Sequence, residues 1–225
     1  MERRHFLISS IFSLGLISQQ AYSSTTKTSL SFNVFLNDEI VGYSNLTHRK
    51  LKNGLEVVID VEIVPKFLGL KFMKYTLKNR EVWKNKELVS IDANSSWFGK
   101  KYFVKGQREG SDFSVQGSAF SGIIKDKFAT TSYFTPDFLK RRVWLSTQDG
   151  TPLEIKTRKL KNKKMLFKDK NYSVREWEIT GDLELTLQYD EQNNWVGSGF
   201  TVGNYPARFT LNDRKNNIHK LWKTS

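Results

Sequence analysis

The chain has 225 residues, 38% of them hydrophobic and 13% aromatic, which is enough for one packed domain. It contains no cysteine, and this excludes a disulfide framework, a thiolate metal site and a lipid-anchored cysteine. The formal net charge of +13 favours attraction to polyanions, which include anionic lipid headgroups, acidic polysaccharide and nucleic acid.

The N-terminal residues have the features of a signal peptide. Arg3-Arg4 forms a charged start, the run from Phe6 to Ile17 is largely apolar, and Ala21-Tyr22-Ser23 offers small residues at the two positions that a signal peptidase reads. The apolar run is shorter than the about 20 residues that a membrane-spanning helix needs. Arg3-Arg4-His5-Phe6-Leu7 resembles the twin-arginine export signal, so export of the folded protein is an alternative to the general secretory route.

These features predict the layout of the chain. Residues 1–23 are the signal peptide, residues 24–29 are a linker, and residues 30–225 form a single β domain without an internal repeat. Removing Glu2, Arg3 and Arg4 with the leader lowers the net charge by one, from +13 to +12. We therefore expect a basic protein in the periplasm or outside the cell, where it would not meet nucleic acid.

Three strands are predicted before the centre of the chain. Apolar side chains at positions 30, 32, 34 and 36 alternate with Ser31 and Asn33, which predicts a strand. Asn37-Asp38 provides a turn, and residues 40–47 return as a second strand. Lys52-Asn53-Gly54 is a strong hairpin signal, because Asn and Gly tolerate the positive φ that such turns require. Residues 55–64 form the third strand, with alternate apolar side chains on one face.

The central stretch, residues 70–83, sorts its side chains into two rows. Successive side chains on a strand point to opposite faces, and from Tyr75 onward the row that includes Leu77 and Trp83 is the more apolar. The other row carries most of the cations. This pattern predicts a half-buried antiparallel strand, which turns at Lys84-Asn85-Lys86 into the next strand.

Glu81 falls in the apolar row of that strand. Because a buried, unpaired carboxylate is costly, Glu81 must be paired, hydrogen-bonded or placed at the mouth of a cavity. One interpretation makes it the polar anchor of a ligand pocket. The other pairs it with a neighbouring Lys or Arg, or places it at an exposed strand end, and this second arrangement is the more common one.

The second half of the chain continues the same β pattern after an interruption. Residues 119–132 are interspersed with Gly122, Ser121 and Ser132 and are predicted to form an irregular loop. Thr135-Pro136-Asp137 combines a capping oxygen, proline and an acid, so residues 138–142 should form a short helix. We therefore predict an all-β fold, a single antiparallel, strongly curved sheet of half-barrel or barrel-like shape with one short helix.

Several short patterns resemble domain of unknown function family 6134, a family of uncharacterised exported bacterial β-proteins. The patterns are the hairpin at residues 35–42, Tyr75 with Glu81-Val82-Trp83, Leu88 after a turn, Ser132-Tyr133-Phe134 before the short helix, and Gln148-Asp149-Gly150 after it. The turn after the Trp tends toward Asp-Gly in the family and is Asn85-Lys86 here. The resemblance implies an exported β fold and no catalytic residue. The architecture is also similar to the curved-sheet carriers of lipoproteins and lipids in the bacterial envelope, an analogy that does not fix function.

No catalytic or metal-binding constellation is apparent. Beyond the leader the histidines are His48 and His219, too few and too isolated for a histidine metal site. The sequence has no Gly-x-Ser-x-Gly elbow, phosphate-binding glycine loop or dinucleotide fingerprint. We therefore assign no catalytic residue, metal ligand or cofactor, and we expect His48, beside Arg49 and Lys50, to face solvent.

Aromatic side chains and Glu81 are the candidate ligand-binding residues. A curled sheet either fills its interior with side chains or holds a ligand, so the same aromatics could instead form a filled core. The candidates are Tyr75, Glu81, Trp83, Trp97 and Tyr102.

The tract from Lys156 to Lys170 is the candidate contact with an anionic membrane surface, where each cation contributes about 1 kcal/mol. The alternative is a solvated hairpin whose lysines prevent pairing of a sheet edge with other chains. The candidate contact residues are Arg158, Lys159, Lys161, Lys163 and Lys164.

Together these patterns favour a non-enzymatic periplasmic module that binds an apolar or amphipathic envelope molecule in a concave sheet. One alternative is an envelope enzyme, or an accessory subunit for one, that acts on a glycan or lipid. Another alternative is a structural module for protein interaction.

Overall fold

The structure is a computed structural model that describes residues 27–65, 74–125, 127–168, 170–215 and 217–224. The predicted signal peptide lies outside the described residues, and so does the beginning of the predicted central strand, residues 70–73. The first strand begins at Lys27, within the stretch that the sequence assigned to the linker.

Strands dominate the part of the chain that the structure describes. In chain order they are β1 (Lys27–Leu36), β2 (Glu39–Leu51), β3 (Gly54–Ile63), β4 (Tyr75–Lys84), β5 (Glu87–Trp97), β6 (Lys100–Glu109), β7 (Asp112–Gly117), β8 (Ser121–Ile124), β9 (Ala129–Thr130), β10 (Val143–Leu145), β11 (Pro152–Lys159), β12 (Lys163–Phe167), β13 (Lys170–Gly181), β14 (Leu185–Asp190), β15 (Trp195–Val202) and β16 (Tyr205–Lys215). A 3-10 helix spans Pro136–Lys140, and α1 spans Ile218–Lys223.

The strands form one sheet in the order β8-β7-β6-β5-β4-β3-β2-β1-β16-β15-β14-β13-β11-β10-β9, with β12 paired beside it to β13. Neighbouring strands are antiparallel except β9 and β10. The turn between β10 and β11 reaches the opposite side of the curled sheet, where the Ala119 amide donates to the Asp149 carbonyl at 3.0 Å and Ser95 Oγ donates to the Gln148 carbonyl at 3.0 Å. The prediction of an all-β, strongly curved sheet is therefore confirmed.

The alternation predicted for the central strand is confirmed in β4. Leu77, Asn79, Glu81 and Trp83 are all buried, whereas the intervening Lys78 is exposed. The predicted hairpin between β2 and β3 is also confirmed, because β2 ends at Leu51 and β3 begins at Gly54 with a φ of 143°.

The structure corrects two local predictions. The stretch 119–132, predicted as a loop, contains β8 and β9, which are too short to show a period in the sequence. The short helix is a 3-10 helix that begins earlier, at Pro136, where the Thr135 hydroxyl caps it by accepting from the Asp137 amide at 3.3 Å. The sequence prediction also missed α1, which is capped by Asn217 and buries Leu221 and Trp222.

The register gives the barrel-like sheet two different ends. The open end carries the β1–β2, β5–β6 and β15–β16 turns, and the closed end carries the β2–β3 and β4–β5 turns. An aromatic plug fills the interior at the closed end, and its six ring pairs have centroids 4.9–6.0 Å apart. The aromatic plug consists of Trp83 from β4, Phe134 and Phe138 around the 3-10 helix, and Trp222 from α1.

Candidate functional site

A cavity of about 470 Å³ occupies the open half of the sheet interior. Its wall includes Leu36, Val41 and Val202, which lie next to the turns of the open end, so the cavity opens there. Most of the wall is apolar, and its central side chains are Leu46, Ile59, Val61, Leu77, Trp195 and Phe209. Such a space suits an apolar molecule or the apolar part of an amphipathic one.

Small residues on inward positions explain why this half is hollow. Ser44 of β2 and Ser198 of β15 are buried and line the cavity, where their small side chains leave space. At Gly42 the backbone of the neighbouring strand comes so close that a Cβ would lie 2.0 Å from the Glu62 carbonyl oxygen. The strands therefore pack closely while their inward side chains leave the centre free.

One side of the cavity is polar. Thr131, Ser132, Ser146, Thr147 and Gln148 form this polar strip, and they come from the segment after β9 and the turn after β10. Hydrogen bonds between its own members stabilise the strip. Thr131 Oγ1 lies 3.0 Å from Thr147 Oγ1 and accepts from the Thr147 amide at 3.0 Å. Hydroxyl groups are thus presented to an otherwise apolar space.

Glu81 lies directly behind the polar strip. Its side chain is fully buried and accepts from Asn79 Nδ2 at 2.8 Å, from Trp83 Nε1 at 2.7 Å and from Ser132 Oγ at 3.2 Å. No Lys or Arg forms an ion pair with it among the described residues. The expectation of a cationic partner or an exposed strand end is therefore wrong, because Asn79 and Trp83, two positions away on the same face, supply donors.

Two opposing influences act on the Glu81 carboxyl. Burial raises its pKa above the ordinary value, and the hydrogen bonds from Asn79, Trp83, Thr130 and Ser132 lower it in part by stabilising the anion. Burial also raises the pKa of Tyr75 and of Tyr133 in the cavity wall, so both phenols remain neutral.

His48 is fully buried, and the expectation that it faces solvent is wrong. The reason is that β2 continues to Leu51, and His48 shares the inward face with Ser44 and Leu46. Its ring packs edge-on against Phe134 with centroids 5.1 Å apart, and neither ring nitrogen has a hydrogen-bond partner. Burial lowers the pKa of His48 to about 3, so the ring is neutral.

The five candidate ligand-binding residues fall into different places. Tyr75 and Trp97 line the cavity near its opening, with ring centroids 5.7 Å apart. Glu81 lies behind the wall, and Trp83 belongs to the aromatic plug. Tyr102 is half-buried on β6 under Lys100 Nζ, 5.1 Å from the ring centroid, and does not line the cavity.

The basic candidates lie on an exposed hairpin at the other end of the molecule. Residue Gly181 of β13 is at the open end, and β12 pairs with residues 170–174 of the same strand, which lie furthest from that end. Arg158 pairs with Glu178 at 2.7 Å, and Lys163 pairs with Glu176 at 2.6 Å. The remaining candidates are exposed as well: Lys159, Lys161 and Lys164.

Metal-binding clusters and membrane-spanning helices are both absent from the described ranges. No group of three or more His, Asp or Glu side chains is arranged to hold a metal ion. No helix in the described ranges is both long and apolar enough to cross a membrane.

Comparison with known proteins identifies the family. Residues 32–212 match the family described as "Domain of unknown function (DUF6134)", and the chain therefore belongs to that family. No curated protein matches the chain significantly. A solved structure, "Crystal Structure of Beta-barrel-like Protein of Domain of Unknown Function DUF1849 from Brucella abortus", is similar with a TM-score of 0.57 and 5% identity over 84% of this chain and 97% of that chain. At this identity the likeness concerns the fold alone.

Proposed function

We propose that this member of the DUF6134 family is an exported, non-enzymatic binding module that holds an apolar or amphipathic molecule inside its sheet. The observation that supports the proposal is the apolar cavity of about 470 Å³ with its opening at one end. Pockets for small molecules commonly measure about 300–1,000 Å³ and combine apolar walls with a few polar groups. The cavity has both properties, because the polar strip interrupts a wall of Leu, Ile, Val and aromatic side chains.

The binding energy in this proposal comes from burial of apolar surface. Transfer of apolar area out of water contributes roughly 25 cal/mol per Å², and the wall is already in place before a ligand enters. Trp97 and Trp195 in the wall should report occupancy through their fluorescence.

Adjacent positions on β2 give a matched pair of variants. Ser44 is buried and lines the cavity, whereas Asn45 is exposed on the outer face of the same strand. Ser44→Phe should fill the cavity, and Asn45→Phe should add the same side chain outside. Protein recovered from its native compartment is extracted and examined by mass spectrometry for bound small molecules.

We expect a co-purifying apolar or amphipathic molecule with the wild type and with Asn45→Phe, and its loss with Ser44→Phe. Recovery of the same molecule with folded Ser44→Phe would place binding elsewhere. Repeated absence of any such molecule from the wild type, together with no uptake of added lipid, would rule the proposal out.

A second proposed property is contact with an anionic membrane surface through the closed end. The candidates Lys159, Lys161 and Lys164 are exposed there, whereas Arg158 and Lys163 each pair with a glutamate that offsets their charge. Each cation near an anionic membrane contributes about 1 kcal/mol, and salt weakens the attraction. Since the basic hairpin and the cavity opening lie at opposite ends, bound protein would present its opening away from the lipid.

Charge reversal at the two ends tests this property. Lys161→Glu with Lys164→Glu changes the closed end, and Lys100→Glu with Lys101→Glu makes the same change in charge at the open end, where both lysines are exposed. In sedimentation with vesicles containing phosphatidylglycerol, the first pair should weaken binding much more than the second. Equal effects of the two pairs would mean that net charge, and not the hairpin, governs the contact.

A further inference from the structure

The innermost part of the cavity lies next to an anionic group in a protein that is otherwise strongly basic. Among the lining residues of β3, Ile59 is the furthest from the open end, and it pairs with Asn79 of β4. Glu81 is the next inward residue of β4 toward the closed end. The floor of the cavity is therefore adjacent to a buried carboxyl that has no ion-pair partner among the described residues.

Ser132 connects this carboxyl to the cavity. It lines the cavity, and its Oγ lies 3.2 Å from Glu81 Oε2 and 2.6 Å from Thr130 Oγ1. Asn79 Nδ2, Trp83 Nε1 and Ser132 Oγ all donate to the Glu81 carboxyl, so Glu81 acts as an acceptor and the Ser132 proton points to it. The single Thr130 proton goes to Ser132 or to Glu81, and in either case at least one lone pair of Ser132 Oγ remains for a group in the cavity.

We propose that Ser132 is the polar contact for the ligand at the floor of the cavity, and that Glu81 orients it as a hydrogen-bond acceptor, so that the cavity selects amphipathic molecules whose head group is a donor. Alcohols, primary amides and amines meet this requirement. A carboxylate head does not, because it accepts only and is repelled by Glu81 where the dielectric constant is low. This inference rests on the proposed function, because it names the ligand class for the same cavity.

Three probes with the same alkyl chain isolate the head group: dodecanol, dodecylamine and dodecanoate. Binding is measured by the fluorescence of the cavity tryptophans at alkaline pH, because burial raises the pKa of Glu81 and a higher pH favours its ionised form. The alcohol and the amine should bind about tenfold more tightly than the carboxylate, the size of effect expected for one hydrogen bond and one like-charge contact.

Variants distinguish orientation by Glu81 from a general effect of the cavity. Glu81→Gln keeps the shape and removes the charge, so the alcohol and the carboxylate should bind with nearly equal affinity. Ser132→Ala should weaken the alcohol about fivefold and leave the carboxylate unchanged. Ser146→Ala is the matched control, because Ser146 also lines the cavity and its hydroxyl accepts from the Gln148 amide, remote from Glu81 in the hydrogen-bond network. Thermal unfolding checks that each variant is folded.

The outcomes separate this inference from the function on which it rests. Equal binding of the three probes to the wild type overturns the role of Ser132 and Glu81, and binding in the cavity stands. The same follows if Ser146→Ala weakens the alcohol as much as Ser132→Ala does. If no probe binds to the wild type, the proposed function fails together with the inference.

Discussion

The two halves of the sheet interior share the same strands and differ in what they enclose. In the closed half the aromatic plug leaves Trp83, Phe134 and Trp222 at most 1% exposed, whereas the open half keeps a cavity of about 470 Å³. The alternation of inward and outward side chains is continuous through both halves, as in β4. The difference therefore comes from the volume of the inward side chains and from the two helical segments that enter only one end.

The two halves should differ most in the loss of unfolding free energy when one aromatic ring is removed from each. Phe134→Ala should lower the free energy of unfolding by about 3–5 kcal/mol, because Phe134 is fully buried and contacts three other rings of the aromatic plug. Phe200→Ala in the cavity wall should cost about 1 kcal/mol, because its ring is only half-buried beside Phe209. Denaturant unfolding measures both. Equal losses would mean that the open half is packed as tightly as the closed half.

A pH titration should also distinguish the closed half, through His48. The folded-state pKa of His48 is about 3, below the ordinary value of 6.5, so the unfolded chain takes up a proton first as the pH falls. The stability that depends on neutral His48 is complete above pH 6.5 and is lost as the pH falls toward 3, by about 1.4 kcal/mol per pH unit.

His48→Leu supplies the reference for this titration, since both ring nitrogens lack partners and an apolar side chain of similar size fits the same neighbours. The difference in unfolding free energy between wild type and variant should change with this slope. A difference independent of pH over that range would show that His48 is accessible to water.

Adding volume should have opposite effects at a packed position and at a hollow one. Ala93→Leu should destabilise by about 1–3 kcal/mol, because Ala93 is fully buried on β5 between Asn79 and Val104 and extra methyl groups meet packed neighbours. Ser198→Leu should stabilise by about 0.5–1 kcal/mol, because its side chain extends into the cavity. The sign of each change is read from thermal unfolding, and destabilisation by Ser198→Leu would contradict an open interior there.

The smallest effect on stability is expected outside both halves. Lys161→Gln and Lys164→Gln should change the unfolding free energy by no more than about 0.5 kcal/mol, because both side chains are exposed on the basic hairpin. A larger loss measured in the same denaturant experiment would give these lysines a structural role.

The sequence predicts the strands of the sheet, and which of their side chains point inward, better than it predicts how the interior is filled. Period-two alternation identifies the inward residues of β4 from Leu77 to Trp83, because strand geometry alone fixes which way a side chain points. Two of the hydrogen-bond partners of Glu81 could be predicted from the sequence, since Asn79 and Trp83 lie two positions away on the same face. The third partner, Ser132, could not be predicted, because it approaches Glu81 from a distant loop and no local sequence pattern indicates the contact.

Whether the interior is filled depends on the total volume of side chains that come from distant segments, and no short sequence pattern contains that total. Trp222 closes one end from α1, a helix too short to show a clear period. His48 was misplaced because the end of β2 could not be located to within a few residues. Tyr75 and Trp97 were candidates for their aromatic character, and their place in the cavity wall follows from the pairing of β4 with β5.

The join between β1 and β16 has a consequence for the order of events during folding. Residues Ser29 to Leu36 pair with residues Ala207 to Lys215, so the first and last strands of the described ranges are neighbours. Contacts between sequence-distant segments form slowly, because the chain loses the entropy of closing a long loop before these contacts stabilise it. The sheet therefore cannot close before β16 has left the ribosome, and we expect the pairing of β1 with β16 to be a late step of folding.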